Sequence, residues 1–206
     1  MSSPHPDLPG QLAESAALAD TPLAWPVGST SRGFSNEYLT VDVDTIIDPD
    51  EGEHSRVVVQ PHGAVGIMAL DDHDRILLVE QYRHPVRHRV LEIPAGTLDV
   101  EGEDPLDAAV RELAEEADLA ADEWSQELRL FASPGYSSEL WTVFRASGLH
   151  PVPHQDRTDR VAEEADMHQW WLPFDAAVDA VLDGRITDAM TVAAVLAEQV
   201  RRSRAG

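Results

Sequence analysis

The chain has 206 residues, of which 43% are apolar, enough for one packed domain with a small appendage. Thirty-eight Asp and Glu face 15 basic residues, a formal net charge of -23, which disfavours a general nucleic-acid binder. Every basic residue is Arg and there is no Cys, which removes lysine Schiff-base chemistry, a Walker-type phosphate loop, disulfides and thiolate metal sites.

Residues 1–30 contain five prolines and many small residues and are expected to form a mobile tail, with a short helix near 12–18. That start has no basic segment and no long apolar core, so it does not look like a signal peptide; with no 18-residue apolar run, a cytoplasmic protein without a membrane span is expected. A strand is predicted at 38–47, rich in β-branched residues, with further strands at 56–59, 64–70 and 75–79. The polar run Asp71, Asp72, His73 and Asp74 separates the last two as a turn. A helix should start near Asp104, with Asp104 as N-cap and Pro105 at the first helical position, because Leu106, Ala109, Val110, Leu113 and Ala117 recur at helical spacing. Strands at 127–132 and 140–146, a polar loop to about 165, a strand at 167–172 and helices at 174–182 and 187–202 complete the chain. Strands, one helix, strands, then helices favour an α+β fold with a mixed sheet between helices over a doubly wound parallel sheet.

Chemistry concentrates on the first helix. Glu112, Glu115 and Glu116 fall three and four positions apart and share a face. Carboxylates so placed repel unless something positive lies between them, and Mg²⁺ or Mn²⁺ suits an oxygen-only site. Arg111 is four residues from Glu115 and can orient the cluster by pairing. A solvated acidic face is the plainer alternative for this helix taken alone. Three features outside it shift the balance: the Glu92-Ile-Pro-Ala-Gly96 turn, the glycine-bearing acidic loop to Glu103, and the later acidic pair Glu163 and Glu164. His84 and His88 are four apart, but Pro85 between them breaks a helix, which argues against a zinc pair. Asp42, Asp44, Asp48 and Asp50 lack the spacing of an EF-hand calcium loop.

From Gly96 through Glu103 to Arg111, Glu112, Glu115, Glu116 and Leu119, the stretch resembles the Nudix box. It departs in having six residues rather than five between Gly96 and Glu103, and Asp118 where the box has its closing Gly. Asp tolerates a left-handed helix end better than most residues. The similarity runs from about Gly33 to Ala197 and is nearest to the ADP-ribose pyrophosphatase-like subgroup. It rests on the segment from Gln81 to Gly96, the loop from Ser133 to Glu139, the acidic pair, and the ending from Gly184 to Leu196.

The resemblance implies a Nudix fold, an α/β/α sandwich with a mixed β-sheet plus a small N-terminal antiparallel β-domain. The expected division is a tail at 1–30, a dimerising β-domain at 31–60 and the hydrolase domain at 61–206. It implies a homodimer with no nucleic-acid or membrane partner, and hydrolysis of ADP-ribose, or a related nucleoside diphosphate-sugar, to AMP and ribose 5-phosphate. Glu112 and Glu116 match the main metal ligands, with Glu115 assisting and the carbonyl of Ala95 as a further ligand for Mg²⁺ or Mn²⁺. Glu164 matches a catalytic glutamate that also reaches the metal, and Glu163 is its neighbour and rival. Arg83, Glu92, Arg56 and Glu139 match substrate-contacting positions, although Val57 stands where the subgroup often has Glu. The alternatives are a Nudix-fold nucleotide-binding regulator without catalysis and a pyrophosphatase for another nucleoside diphosphate-sugar.

Overall fold

The computed structural model describes residues 3–4, 7–13, 18–158 and 166–205. Two short strands, β1 (Ser3–Pro4) and β2 (Gln11–Leu12), pair near the start. The helix expected near 12–18 is not found at Gln11–Leu12, which is strand, and 14–17 lie outside the described residues. A three-stranded antiparallel sheet follows, β3 (Val27–Ser35), β4 (Leu39–Ile47) and β5 (Glu53–Pro61). Its first strand starts at Val27, inside the segment expected to be tail. Only pairing makes that strand visible. Val-Gly-Ser-Thr-Ser-Arg-Gly-Phe-Ser has little apolar alternation, and its order comes from the ladder with β4 and from Arg32, which bonds the buried Asp42 at 2.5 Å.

The larger body is built on β6 (Ala64–Ala69) and β7 (Arg75–Arg83). β6 is central to a sheet ordered β10-β11-β6-β9, from β9 (Ala95–Thr97), β10 (Leu119–Phe131) and β11 (Leu140–Pro151). β11 runs parallel to β6 and the other pairings are antiparallel, so the sheet is mixed. β7 lies between β8 (His88–Glu92) and β12 (His168–Pro173) in a second sheet.

Alternation along β6 sorts the core into two layers. Val65, Ile67 and Ala69 pack with Ala108, Ala109, Leu113 and Ala117 of helix α1 (Pro105–Ala117). Ala64 and Met68 pack on the other side with α2 (Phe174–Leu182) and α3 (Ala189–Ala205), through Phe174, Ala177, Met190 and Ala194. With helices on both faces, every residue of β6 is buried, as expected of a strand covered on two sides. The result is the α/β/α sandwich the sequence suggested. Two bonds tie the N-terminal sheet to this body: the Val59 N–H to the Tyr136 carbonyl at 2.8 Å and the Ser138 N–H to the Val59 carbonyl at 3.0 Å. Among the described residues, no helix is long and apolar enough to cross a membrane.

Candidate active site

The acidic helix begins as its sequence requires. Asp104 accepts the Leu106 N–H at 2.8 Å, and Pro105 occupies the first turn, where its missing N–H has no consequence. The helix stops at Asp118, whose φ of 55° and ψ of 32° give it the left-handed cap that a glycine usually supplies. The extra residue before Glu103 is taken up in a turn in which Gly102 adopts a φ of 78° and the Glu103 N–H bonds the Val100 carbonyl at 3.2 Å. Glu103 therefore still reaches the helix.

Arg111 gathers the carboxylates. Its Nε and Nη2 donate to the two oxygens of Glu103 at 3.1 and 3.0 Å, and its Nη1 donates to Glu112 at 2.6 Å and Glu115 at 3.2 Å. The Glu103 bond, followed by the charge of Glu112, holds Arg111 firmly in its cationic form. The same guanidinium lowers the Glu103 carboxyl below its ordinary value. Glu116 is buried on the neighbouring side of the helix and accepts the Ala95 N–H at 2.9 Å.

Gly96 explains itself here. A methyl group on its Cα would stand 1.9 Å from Cδ of Glu112, so a larger residue would push that carboxylate out of its present place. The ladder between β6 and β9 also orients Ala95. Ile67 and Gly63 bond Pro94 and Leu98, the alternate positions, so both backbone groups of Ala95 turn away from β6. Its N–H meets Glu116, and its carbonyl leaves the strand along the same edge.

Across the 92–96 turn lies a cleft of about 880 Å³, bordered by Arg83, Glu92, Ala95, Gly96, Glu139, Trp141, Asp188 and Met190. Glu92 is buried and receives a fork from Arg83, Nε to Oε1 at 2.9 Å and Nη2 to Oε2 at 2.6 Å, with Gln81 adding a longer bond at 3.4 Å. This pairing, reinforced by the charges of Glu116 and Asp188, favours the Arg83 cation against the cost of burial. The field at Arg83 thus includes a carboxylate from α1, so the Arg83–Glu92 pair and the glutamates of α1 form two walls, one on either side of the 92–96 turn.

Of the residues singled out from sequence, Arg83, Glu92, Ala95 and Glu139 border the cleft, and Glu112, Glu115 and Glu116 stand on α1 against its turn. Arg56 does not border it: it sits on β5 and donates to the Ser55 carbonyl at 2.9 Å. Glu163 and Glu164 lie outside the described residues. His84 bonds the Tyr82 hydroxyl and His88 the Val86 carbonyl, so they are not a metal pair, and His88 borders the cleft. Asp48 organises the β4–β5 turn by accepting from Asp50, Gly52 and His54, a structural use of that acidic run. No motif in the sequence marks Gln81, Trp141, Asp188 or Thr191. An aromatic, a threonine or an amide in a predicted strand or helix has no signature until the fold places it.

Among the described residues, no three carboxylate or imidazole groups are already drawn around one point; Arg111 stands between Glu112 and Glu115 instead. The donors nevertheless suit a divalent cation: glutamate oxygens on adjacent turns and an outward backbone carbonyl, beside a glycine that keeps the approach open.

A model of the NUDIX domain matches residues 60–194. The chain belongs to the Nudix family. This Nudix hydrolase is 43% identical over 154 residues to an ADP-ribose pyrophosphatase of Mycobacterium tuberculosis (strain ATCC 25618 / H37Rv), covering 75% of this chain and 73% of that one. It is 33% identical over 166 residues to the methanol dehydrogenase activator of Bacillus methanolicus, covering 81% of this chain and 88% of that one. A solved ADP compounds hydrolase superposes with a TM-score of 0.75 at 19% identity, over 91% of this chain and 99% of the other, which speaks for the fold alone.

Proposed function

We propose that this Nudix hydrolase cleaves the pyrophosphate bond of ADP-ribose, or of a closely related nucleoside diphosphate-sugar, to give AMP and ribose 5-phosphate. The observation that carries this reading is the junction at the 92–96 turn. One short segment presents Glu92 to Arg83, Ala95 to Glu116 and Gly96 to Glu112, beside a cleft of about 880 Å³. The similarity to an ADP-ribose pyrophosphatase supports the choice of substrate.

In this reading Glu112 and Glu116, with Glu115 assisting and the Ala95 carbonyl beside them, hold Mg²⁺ or Mn²⁺. Such a cation neutralises charge on the two phosphates and makes a bound water more acidic. Arg83 binds a phosphate oxygen through Nη1, while Glu92 keeps Nε and Nη2 and so sets the plane of the guanidinium. Glu139 borders the cleft, where a substrate hydroxyl can donate to it. Glu164 accepts the proton of the attacking water, with Glu163 the other candidate. Replacing Glu164 by Gln should lower turnover roughly 100-fold or more without loss of bound Mn²⁺; undiminished turnover would remove the assignment.

The chain also acts as a homodimer in this reading, joined through the β-domain. β3 is exposed along its whole length, with Phe34 and nearby Val57 open to solvent. A second chain seated there offers Arg56 a partner that its own cleft does not. Light scattering coupled to gel filtration should give twice the 22.6 kDa chain mass.

The deciding experiment is incubation with Mg²⁺ and a panel of nucleoside diphosphate compounds, with released monophosphate measured. ADP-ribose should be the best substrate. Preference for a mannose or glucose derivative would move the assignment to that sugar. Tight binding without any cleavage would make the protein a nucleotide-sensing regulator.

A further inference from the structure

The 92–96 turn stands between the Arg83–Glu92 pair and the glutamates of α1, so whatever holds it still sets their separation. Three elements do. The Pro94 carbonyl accepts the Ile67 N–H of β6 at 2.7 Å, and the Ala95 N–H goes to Glu116 of α1. The third tie comes from the far end of the chain: the Ile93 N–H donates to Oγ1 of Thr191 in α3 at 2.8 Å, both residues being buried. A buried backbone N–H must find an acceptor, and β8 ends at Glu92 without giving Ile93 one.

The Thr191 hydroxyl is itself oriented. It donates to Oδ2 of Asp188 at 2.7 Å, and the same oxygen accepts the Thr191 N–H at 2.8 Å. Asp188 therefore caps α3 and aims the hydroxyl in one arrangement. With its proton committed to Asp188, the oxygen presents a lone pair to Ile93. A valine of the same shape would do neither. Asp188 also borders the cleft, so this chain of bonds runs from the cleft wall through a buried hydroxyl into the turn.

We infer that Thr191 and Asp188 are positioning residues, which set the 92–96 turn and through it the separation between the Arg83–Glu92 pair and the Ala95 carbonyl. The inference rests on the proposed cleavage only for its effect on turnover. Its effect on the turn is independent of substrate.

The test compares T191V with T191S in the full-length protein. Amide hydrogen exchange at Ile93 and Ala95 reads the turn, Mn²⁺ titration reads the cation site, and kcat and KM with ADP-ribose read the cleft. T191V should speed exchange at Ile93 by 10-fold or more, weaken Mn²⁺ binding several-fold and lower kcat more than it raises KM. T191S, which keeps the hydroxyl, should restore all three to within about twofold. Should T191V fail to fold, D188A leaves Thr191 in place and removes the oxygen that both aims its hydroxyl and caps α3; Ile93 exchange should then rise while α3 beyond its first turn stays protected. Folded T191V with wild-type exchange at Ile93 and wild-type Mn²⁺ affinity would overturn the inference, as would unchanged Ile93 exchange in D188A. If the wild-type protein cleaves no nucleoside diphosphate-sugar, the proposed function fails, and the exchange and Mn²⁺ measurements still decide this point.

Discussion

On α1, the single guanidinium of Arg111 is divided among Glu103, Glu112 and Glu115; on the other side of the 92–96 turn, Arg83 is given almost wholly to Glu92. The first arrangement is a set of bonds between side chains, on a helix face where Arg111 is about a third exposed and Glu115 more so. The second is set in a turn whose backbone is bonded to three other elements. The difference assigns the walls different tasks. Long side chains around a shared arginine can re-pair when an ion or phosphate arrives. A buried carboxylate in a fixed turn keeps one arginine in one plane.

Changing the charge of one wall should separate these tasks most sharply. E116Q keeps an oxygen able to accept the Ala95 N–H and removes the negative charge. If that wall works through charge, kcat should fall on the order of 1000-fold while KM moves only a few-fold. Mn²⁺ affinity should fall with it, and steady-state kinetics and a metal titration read the two. Equal losses in kcat and Mn²⁺ binding from R83K would erase the contrast between the walls. The expected result for R83K is milder, because lysine retains charge and loses the fork: KM for ADP-ribose rises about 10-fold and Mn²⁺ binding is unchanged.

The smallest effect concerns the edge of the α1 wall. Arg111 lowers the Glu103 carboxyl below its ordinary 4.5, so the folded state favours the ionised form. The resulting stability is present above the unfolded value and is lost as pH falls through the folded one. E103Q should therefore be slightly less stable than wild type at pH 7 and at pH 5. The gap should narrow below about pH 4.5 and close in stronger acid. Urea unfolding at a series of pH values measures it; a gap that widens in acid would deny the pairing with Arg111.

Much of this was readable from residues. Asp104 and Pro105 announce the start of α1, helical spacing marks Ala109, Leu113 and Ala117 as its buried stripe, and Asp118 ends it in the left-handed state anticipated for an aspartate. β8 and β9 leave no mark in the sequence because His88-Arg-Val-Leu-Glu92 and Ala95-Gly-Thr97 are too short and too polar to alternate visibly; they exist because β7 and β6 offer edges to pair with. β10 begins at Leu119, well before the predicted 127, since a ladder with β11 overrides the polar run Asp122, Glu123, Ser125 and Gln126. Gly96 could be recognised as a turn signal, but its reason, contact with Glu112, is a distance that only folding creates. Thr191 lay deeper still, because its partner is 98 residues away.

That span has a consequence for assembly. Local contacts form early, whereas bringing together distant segments carries a loop-closure entropy that must be met first. Helix α1 can form as soon as its own residues are available. β6 must wait for β11, paired with it from Ala64 with Trp141 to Ala69 with Ala146, and the turn beside it waits for Thr191. A chain emerging from the ribosome would expose its acidic helix long before the cleft beside it acquired a fixed width, so competence for catalysis should be among the last properties this protein gains as it folds.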